Sequence, residues 1–144
     1  MEPFQFWCCD ECGDPVGVAD GYVIWGKYGS PDFEFRIIHK GVCDDSSMNS
    51  SLPLTDFLGP DGLVTLTSML SYGPVANGEE VEPRSTYPMP NLDAWVDFLR
   101  RMQVPNYEQV RLLYRSHESR ERFSDCTESY PYLQKSIASI LAGD

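Results

Sequence analysis

Three cysteines and one histidine carry the sharpest chemical pattern in the chain. Cys9-Asp10-Glu11-Cys12-Gly13 sets two thiols with two residues between them, and His39-Lys40-Gly41-Val42-Cys43 sets an imidazole and a thiol with three between. Four nitrogen and sulfur ligands in two short clusters are what tetrahedral Zn²⁺ takes, because each cluster can span one edge of the tetrahedron. The spacing predicts a Cys3His zinc site made by Cys9, Cys12, His39 and Cys43. Four protein ligands close the coordination sphere, whereas catalytic zinc keeps an open position, so the expected role is structural. The deaminase pattern of His-x-Glu followed by Pro-Cys-x2-Cys is absent: no glutamate stands two residues after His39 or His117.

The remaining candidates are weaker. Cys8 could substitute as a ligand, but adjacent cysteines rarely both reach one metal, and it reads as a small buried hydrophobe. Cys126 lies near Asp125 and Glu128 and lacks basic neighbours that would activate a thiolate. His117 follows Tyr114 by three on an amphipathic stretch and reads as a boundary residue. A general-base role would need a carboxylate or nucleophile that spacing does not place beside it. No catalytic residue is assigned. Gly59-Pro60-Asp61-Gly62 lacks the lysine of a phosphate-binding loop and reads as an ordinary helix start. Arg100, Arg101, Arg111, Arg115, Arg120 and Arg122 form the one basic cluster. Pairing of Asp97 with Arg101 and of Glu118 with Arg122, each four residues on, is its simplest explanation.

The elements that must position the ligands are strands. Phe4 and Phe6 alternate ahead of the first cysteines, and Val16 and Val18 alternate after them. Asp20-Gly21 is a two-residue hairpin signal leading into Tyr22-Val23-Ile24-Trp25. Residues 26–32 form a looser turn. In Phe33-Glu34-Phe35-Arg36-Ile37-Ile38-His39, Phe33, Phe35 and Ile37 share one face, and the strand delivers His39 to the metal. Gly13 and Gly41 allow the backbone to turn sharply beside the ligands.

This arrangement resembles the zinc-ribbon and treble-clef families of small zinc modules over residues 8–43, about a quarter of the chain. The knuckle Cys9-Asp10-Glu11-Cys12-Gly13 matches their first half. The second half departs: His39-x3-Cys43 is not the Cys-x2-Cys of a ribbon, and the residues after Cys43 are weak helix formers. The resemblance implies a structural metal in a β-hairpin module.

Beyond Cys43 the pattern changes. Residues 44–53 are small and polar and read as a linker. Residues 54–58 form a candidate helical turn, and Leu63, Leu66, Met69 and Leu70 mark a helix from Pro60 to about residue 71. Residues 73–90, with four prolines, two glycines and the run Glu79-Glu80-Val81-Glu82, read as a long irregular connection. Asn91 caps a helix bearing Leu92, Trp95, Val96, Leu99 and Met102. Asn106 and Gln109 open another that reaches residue 122, and a last helix runs from about 132 to 141. The expected fold class is α+β: a zinc-stapled β-hairpin module at residues 1–45, then a mainly helical bundle at 54–144 with its irregular loop at 73–90.

Composition bounds the function. Apolar residues make up 42% of the 144, enough for a folded globule. The start, Met1-Glu2-Pro3-Phe4, lacks the basic and apolar regions of a signal peptide, and no membrane span is visible, so the expected compartment is the cytoplasm. There, clustered cysteines bind metal more often than they pair. Net charge is −11, with residues 1–45 at −6, 46–90 at −4 and 91–144 at −1. Such a chain repels phosphate backbones and suits a basic protein surface. The expectation is a small acidic, zinc-stabilised, non-enzymatic protein that acts by protein–protein interaction, as a regulator, inhibitor or immunity-type protein. The alternative is a zinc-ribbon nucleic-acid binder in transcription, with helices 60–71, 91–102 and 106–122 arranged as a helix-turn-helix and the arginine helix as reader.

Overall fold

The computed structural model describes residues 2–26, 33–71 and 89–143. Small antiparallel sheets come first and helices follow. Strand β1 (Phe6–Cys8) pairs with β2 (Pro15–Gly17), Trp7 facing Val16 across the pair. Strand β3 (Gly21–Trp25) is the middle of a second sheet, flanked by β4 (Phe35–His39) and β5 (Ser50–Pro53). Val23, Ile24 and Trp25 are buried in succession, as a central strand covered on both faces requires.

Two sequence expectations change here. Asp20-Gly21 does not join a hairpin, because β2 pairs with β1 and β3 with β4 and β5; the turn carries the chain from one sheet to the next. Nor is all of residues 44–53 a linker. Ser50–Pro53 forms β5, and its register sets Leu52 opposite Val23. Propensity is weak in that stretch, and pairing with a strongly β-forming neighbour overrides it.

Leu54–Phe57 makes a 3₁₀ turn, and α1 (Gly59–Ser68) follows with Pro60 in its first turn. Gly62 is required: a Cβ there would lie 2.0 Å from the Phe57 carbonyl carbon. Helix α2 (Leu92–Gln103) starts as read, with Asn91 Oδ1 accepting from the Ala94 amide at 3.0 Å. It buries Trp95, Phe98, Arg101 and Met102, while Leu92 is exposed.

The continuous helix expected over residues 106–122 does not form. Asn106 takes a left-handed conformation (φ 63°) with no side-chain cap. The chain then divides into α3 (Tyr107–Val110), a 3₁₀ segment Arg111–Arg115 and α4 (His117–Arg122). A 3₁₀ turn at Tyr130–Tyr132 precedes α5 (Gln134–Ala142). Residues 27–32 and 72–88, with all but Gly26 of the expected turn at 26–32, Glu79, Glu80, Glu82 and nearly all of the 73–90 connection, lie outside the described residues, as does the His117 side chain.

One core spans both parts. Phe35 of β4 stacks on Phe98 of α2 at 4.5 Å, and Phe57 meets Phe98 edge-on at 5.0 Å and Trp25 at 6.0 Å. Trp7, Trp25 and Trp95 are all buried, as the sequence indicated.

Candidate metal centre and the adjoining cleft

The ligand atoms of Cys9, Cys12, His39 and Cys43 lie within 4.8 Å of one another. The β1–β2 turn supplies Cys9 and Cys12, the end of β4 supplies His39, and the turn after it supplies Cys43. Gly13 and Gly41 have φ of +84° and +83°, with open space where a Cβ would stand, so backbone conformation alone demands glycine there. The Cys12 amide donates to Cys9 Sγ at 3.5 Å, the Gly13 amide to the Cys9 carbonyl at 2.9 Å, and the Cys43 amide to the His39 carbonyl at 3.1 Å. Both cysteine turns are thus closed by the backbone before any ion is considered.

His39 is oriented through its outer nitrogen. Nε2–H donates to the Pro15 carbonyl at 2.9 Å, which leaves Nδ1 as the ligating atom. Nδ1 stands 3.5 Å from Cys12 Sγ and 3.6 Å from Cys43 Sγ. A tetrahedron with metal–sulfur near 2.3 Å and metal–nitrogen near 2.0–2.1 Å has sulfur–nitrogen edges of about 3.5–3.6 Å. The donor set therefore fits a tetrahedral metal ion.

Electrostatics in the cluster agree. Burial opposes ionisation of Cys9, but backbone donors at Cys12, Glu11 and His39 outweigh it and bring its thiol down to about 6. Cys43 is pushed up to about 11, first by burial and then by the Cys9 and Cys12 sulfurs. The Pro15 carbonyl is the main cause of a raised His39 pKa. A cation between neighbouring thiolates offsets their mutual repulsion. Cys8 stays outside the cluster. It is exposed, where the sequence suggested a buried hydrophobe, and its Sγ donates to the Gly13 carbonyl at 3.5 Å. Burial, then Asp10, raises its pKa, so the thiol is not activated.

The knuckle also grips the helices, through a residue the sequence reading placed elsewhere. Arg101 is only 3% exposed. Its NH1 donates to Asp10 Oδ2 at 2.8 Å, its Nε and NH2 to Glu108 at 2.7 and 2.6 Å, and NH2 also to the Cys8 carbonyl at 3.2 Å. Burial disfavours its charge, but Glu108 and Asp10 outweigh that and raise its pKa further. Asp10 Oδ2 in turn accepts from the Ile37 amide at 2.7 Å. Trp7 Nε1 donates to the Arg101 carbonyl at 3.0 Å, and the Cys8 amide to Glu108 at 3.1 Å. The expected Asp97–Arg101 pair is replaced: Asp97 takes Arg111 at 2.5 Å and the Tyr107 hydroxyl at 2.6 Å. The sign that Arg101 turns inward was its place three residues after Phe98, on the face that α2 buries.

Beside the knuckle, Arg36 of β4 is held by Glu11, by Glu34 at 2.5 Å and by Asp45 at 2.9 Å. A cleft of about 980 Å³ opens between this group and the helices, lined by Phe35, Asp93, Asp97, Phe98, Arg111 and Arg115 among others. Most of the arginine cluster is engaged. Arg100 lies 3.5 Å over the Tyr132 ring, Arg101 and Arg111 are in ion pairs, and Arg122 donates to Ser139 Oγ at 2.5 Å. Arg115 and Arg120 are exposed.

No protein-family model, curated protein or solved structure matches the chain. Among the described residues, no helix is long and apolar enough to cross a membrane.

Proposed function

We propose that the chain is a zinc-stapled, non-enzymatic protein that works by binding a protein partner through that partner's basic surface. Zinc is the metal that best suits three thiolates and an imidazole at tetrahedral spacing, and the closed set makes it structural. Kinship with zinc-ribbon or treble-clef modules is supported by the knuckle, whose Cys12 amide points at the Cys9 sulfur. The reducing cytoplasm suits free thiolate ligands.

The observation that carries the protein-binding reading is the distribution of charge. Carboxylates outnumber the guanidiniums they surround, three around Arg36 and two around Arg101, while the basic cluster is largely occupied inside the protein. A regulator, an inhibitor or an immunity-type protein would use such a face. The nucleic-acid reading is left with exposed Arg115 and Arg120 on short segments, without the long recognition helix it relied on. A heparin column at low salt separates the two. Flow-through, together with capture of a basic protein from the native host, is expected. Salt-sensitive retention with nucleic acid in the eluate would establish the alternative. Elemental analysis is expected to give about one zinc per chain; iron in its place would overturn the metal assignment.

A further inference from the structure

Resting on that protein-binding reading, we infer that the cleft between the metal knuckle and the helices is where the partner docks, and that the docking element is an extended lysine- or arginine-bearing segment of polypeptide. The cleft's volume, about 980 Å³, accommodates several side chains. Its lining is mainly polar, with the stacked Phe35 and Phe98 rings packed beneath it at 9% and 1% exposed. One wall is Glu11, Glu34 and Arg36; the other is Asp93, Asp97 and Arg111.

The charge balance of these walls selects a cation. Five carboxylates and four guanidiniums line the cleft, and Asp45 and Glu108 hold two of those guanidiniums from behind. The lining is thus net −1, and with Asp45, Glu108 and the Arg100 that stacks on Tyr132 the balance is −2. Arg36 itself demonstrates the geometry, because one guanidinium is shared by three carboxylates set at bonding distance. Each carboxylate offers about four acceptor sites. The Glu11 and Glu34 side chains, at 33% and 47% exposed, keep some of these open toward solvent. Asp93 is exposed in the first turn of α2. An anion entering the same cleft would find Arg36, Arg101 and Arg111 already bound to carboxylates, and would have Arg115 to itself. The open carboxylate acceptors therefore suit the positively charged end of a lysine or arginine side chain.

The knuckle joins this site to the ligand cluster. Asp10 and Glu11 stand between ligands Cys9 and Cys12, so the turn that closes around the ion also presents Glu11 to Arg36 and Asp10 to Arg101.

The test uses the full zinc-loaded chain and a fluorescein-labelled peptide of alternating arginine, lysine and glycine. Anisotropy at low salt reads affinity, and amide NMR shifts read location. Glu34→Gln with Asp93→Asn is expected to weaken binding about tenfold. Asp56→Asn with Asp61→Asn, the same charge change outside the cleft, is expected to leave it within about twofold. Melting curves check that both variants fold. Shifts are expected at residues 34–36 and 93–98, and Glu11→Gln should weaken the peptide while zinc is retained. Equal weakening by the two double variants would overturn the cleft, since net charge alone would then hold the peptide. If the full chain captures its basic host partner and the Glu34→Gln, Asp93→Asn variant captures it equally well, the cleft falls and the protein-binding reading stands. If heparin retains the chain and Arg115→Ala abolishes that retention, both fall.

Discussion

Residues 6–43 and residues 104–143 are stabilised in opposite ways. The first stretch has short strands whose turns converge on one cluster of four ligand atoms. The second has short helices and 3₁₀ turns held by rings: Tyr107 near Tyr114 at 6.2 Å, Tyr114 near Tyr132 at 5.2 Å, and Phe123 6.0 Å from Tyr114. Such ring pairs contribute about 0.5–1.5 kcal/mol each beyond area burial, whereas a structural zinc site contributes about 10–16 kcal/mol in isolated fingers. With the proposed zinc bound, the first stretch adds one strong centre to the core it shares with α2. In the second, order is dispersed, so no single loss there is decisive.

The largest expected effect follows from that centre. Cys9→Ser or Cys12→Ser should lose zinc and unfold residues 6–43, read by elemental analysis and by loss of strand signals in NMR. Cys8→Ser should do neither. If Cys8→Ser loses the metal while Cys9→Ser keeps it, the ligand set is displaced by one residue. Arg101→Ala comes next, at about 3–5 kcal/mol, because removing one partner of a buried ion pair strands the others. Denaturant melts check the magnitude. A cost below about 1 kcal/mol would mean that the knuckle and helices are joined by apolar packing alone. In the dispersed stretch, Tyr114→Phe removes a hydroxyl that donates to the Pro131 carbonyl at 2.6 Å, and should cost about 1 kcal/mol.

Much of the Cys3His cluster was legible because its information is local. Cysteine and histidine spacing, Gly13 and Gly41 lie within a few residues of the atoms they position. The Asn91 cap was legible for the same reason. Arg101 was not, since Asp10 is 91 residues away in the chain and its partnership exists only once the fold is made. The 106–122 helix was misread because its apolar spacing is compatible with several short turns. The left-handed Asn106 and the capture of Arg111 by Asp97 favour those turns over one rod. The β1–β2 pairing was missed because the Asp20-Gly21 signal specifies a turn and says nothing about which strand becomes the neighbour.

The smallest expected effect lies at the seam between α2 and the dispersed stretch. Burial alone would raise the Asp97 pKa, but Arg111 and Tyr107 outweigh it and hold the carboxyl below its ordinary value. A carboxyl with a depressed folded-state pKa contributes stability that is complete above its unfolded value, near 3.9. That contribution is lost as pH falls through the folded value. Wild-type melting temperature should therefore drop on acidification below about pH 4, and Asp97→Asn should flatten that acid limb while lowering stability at neutral pH. An unchanged limb would show that Arg111 adds nothing to the seam.

The Arg101 contacts also impose an order in time. Asp10, Cys8 and Trp7 meet Arg101 across 91, 93 and 94 residues, separations whose loop-closure entropy must be met before the contacts give anything back. On a ribosome adding about 5–20 residues per second, Cys43, which completes the Cys3His cluster, is made about 3–12 seconds before Arg101. The cluster would therefore be ready for the proposed ion early, using backbone bonds that are already local, whereas the guanidinium arrives late. Contacts formed after the transition state govern escape from the native state more than entry into it. If the Arg101 contacts form after the transition state, Arg101→Ala should leave the folding rate nearly unchanged and multiply the unfolding rate, whereas a slower folding rate would place them in it.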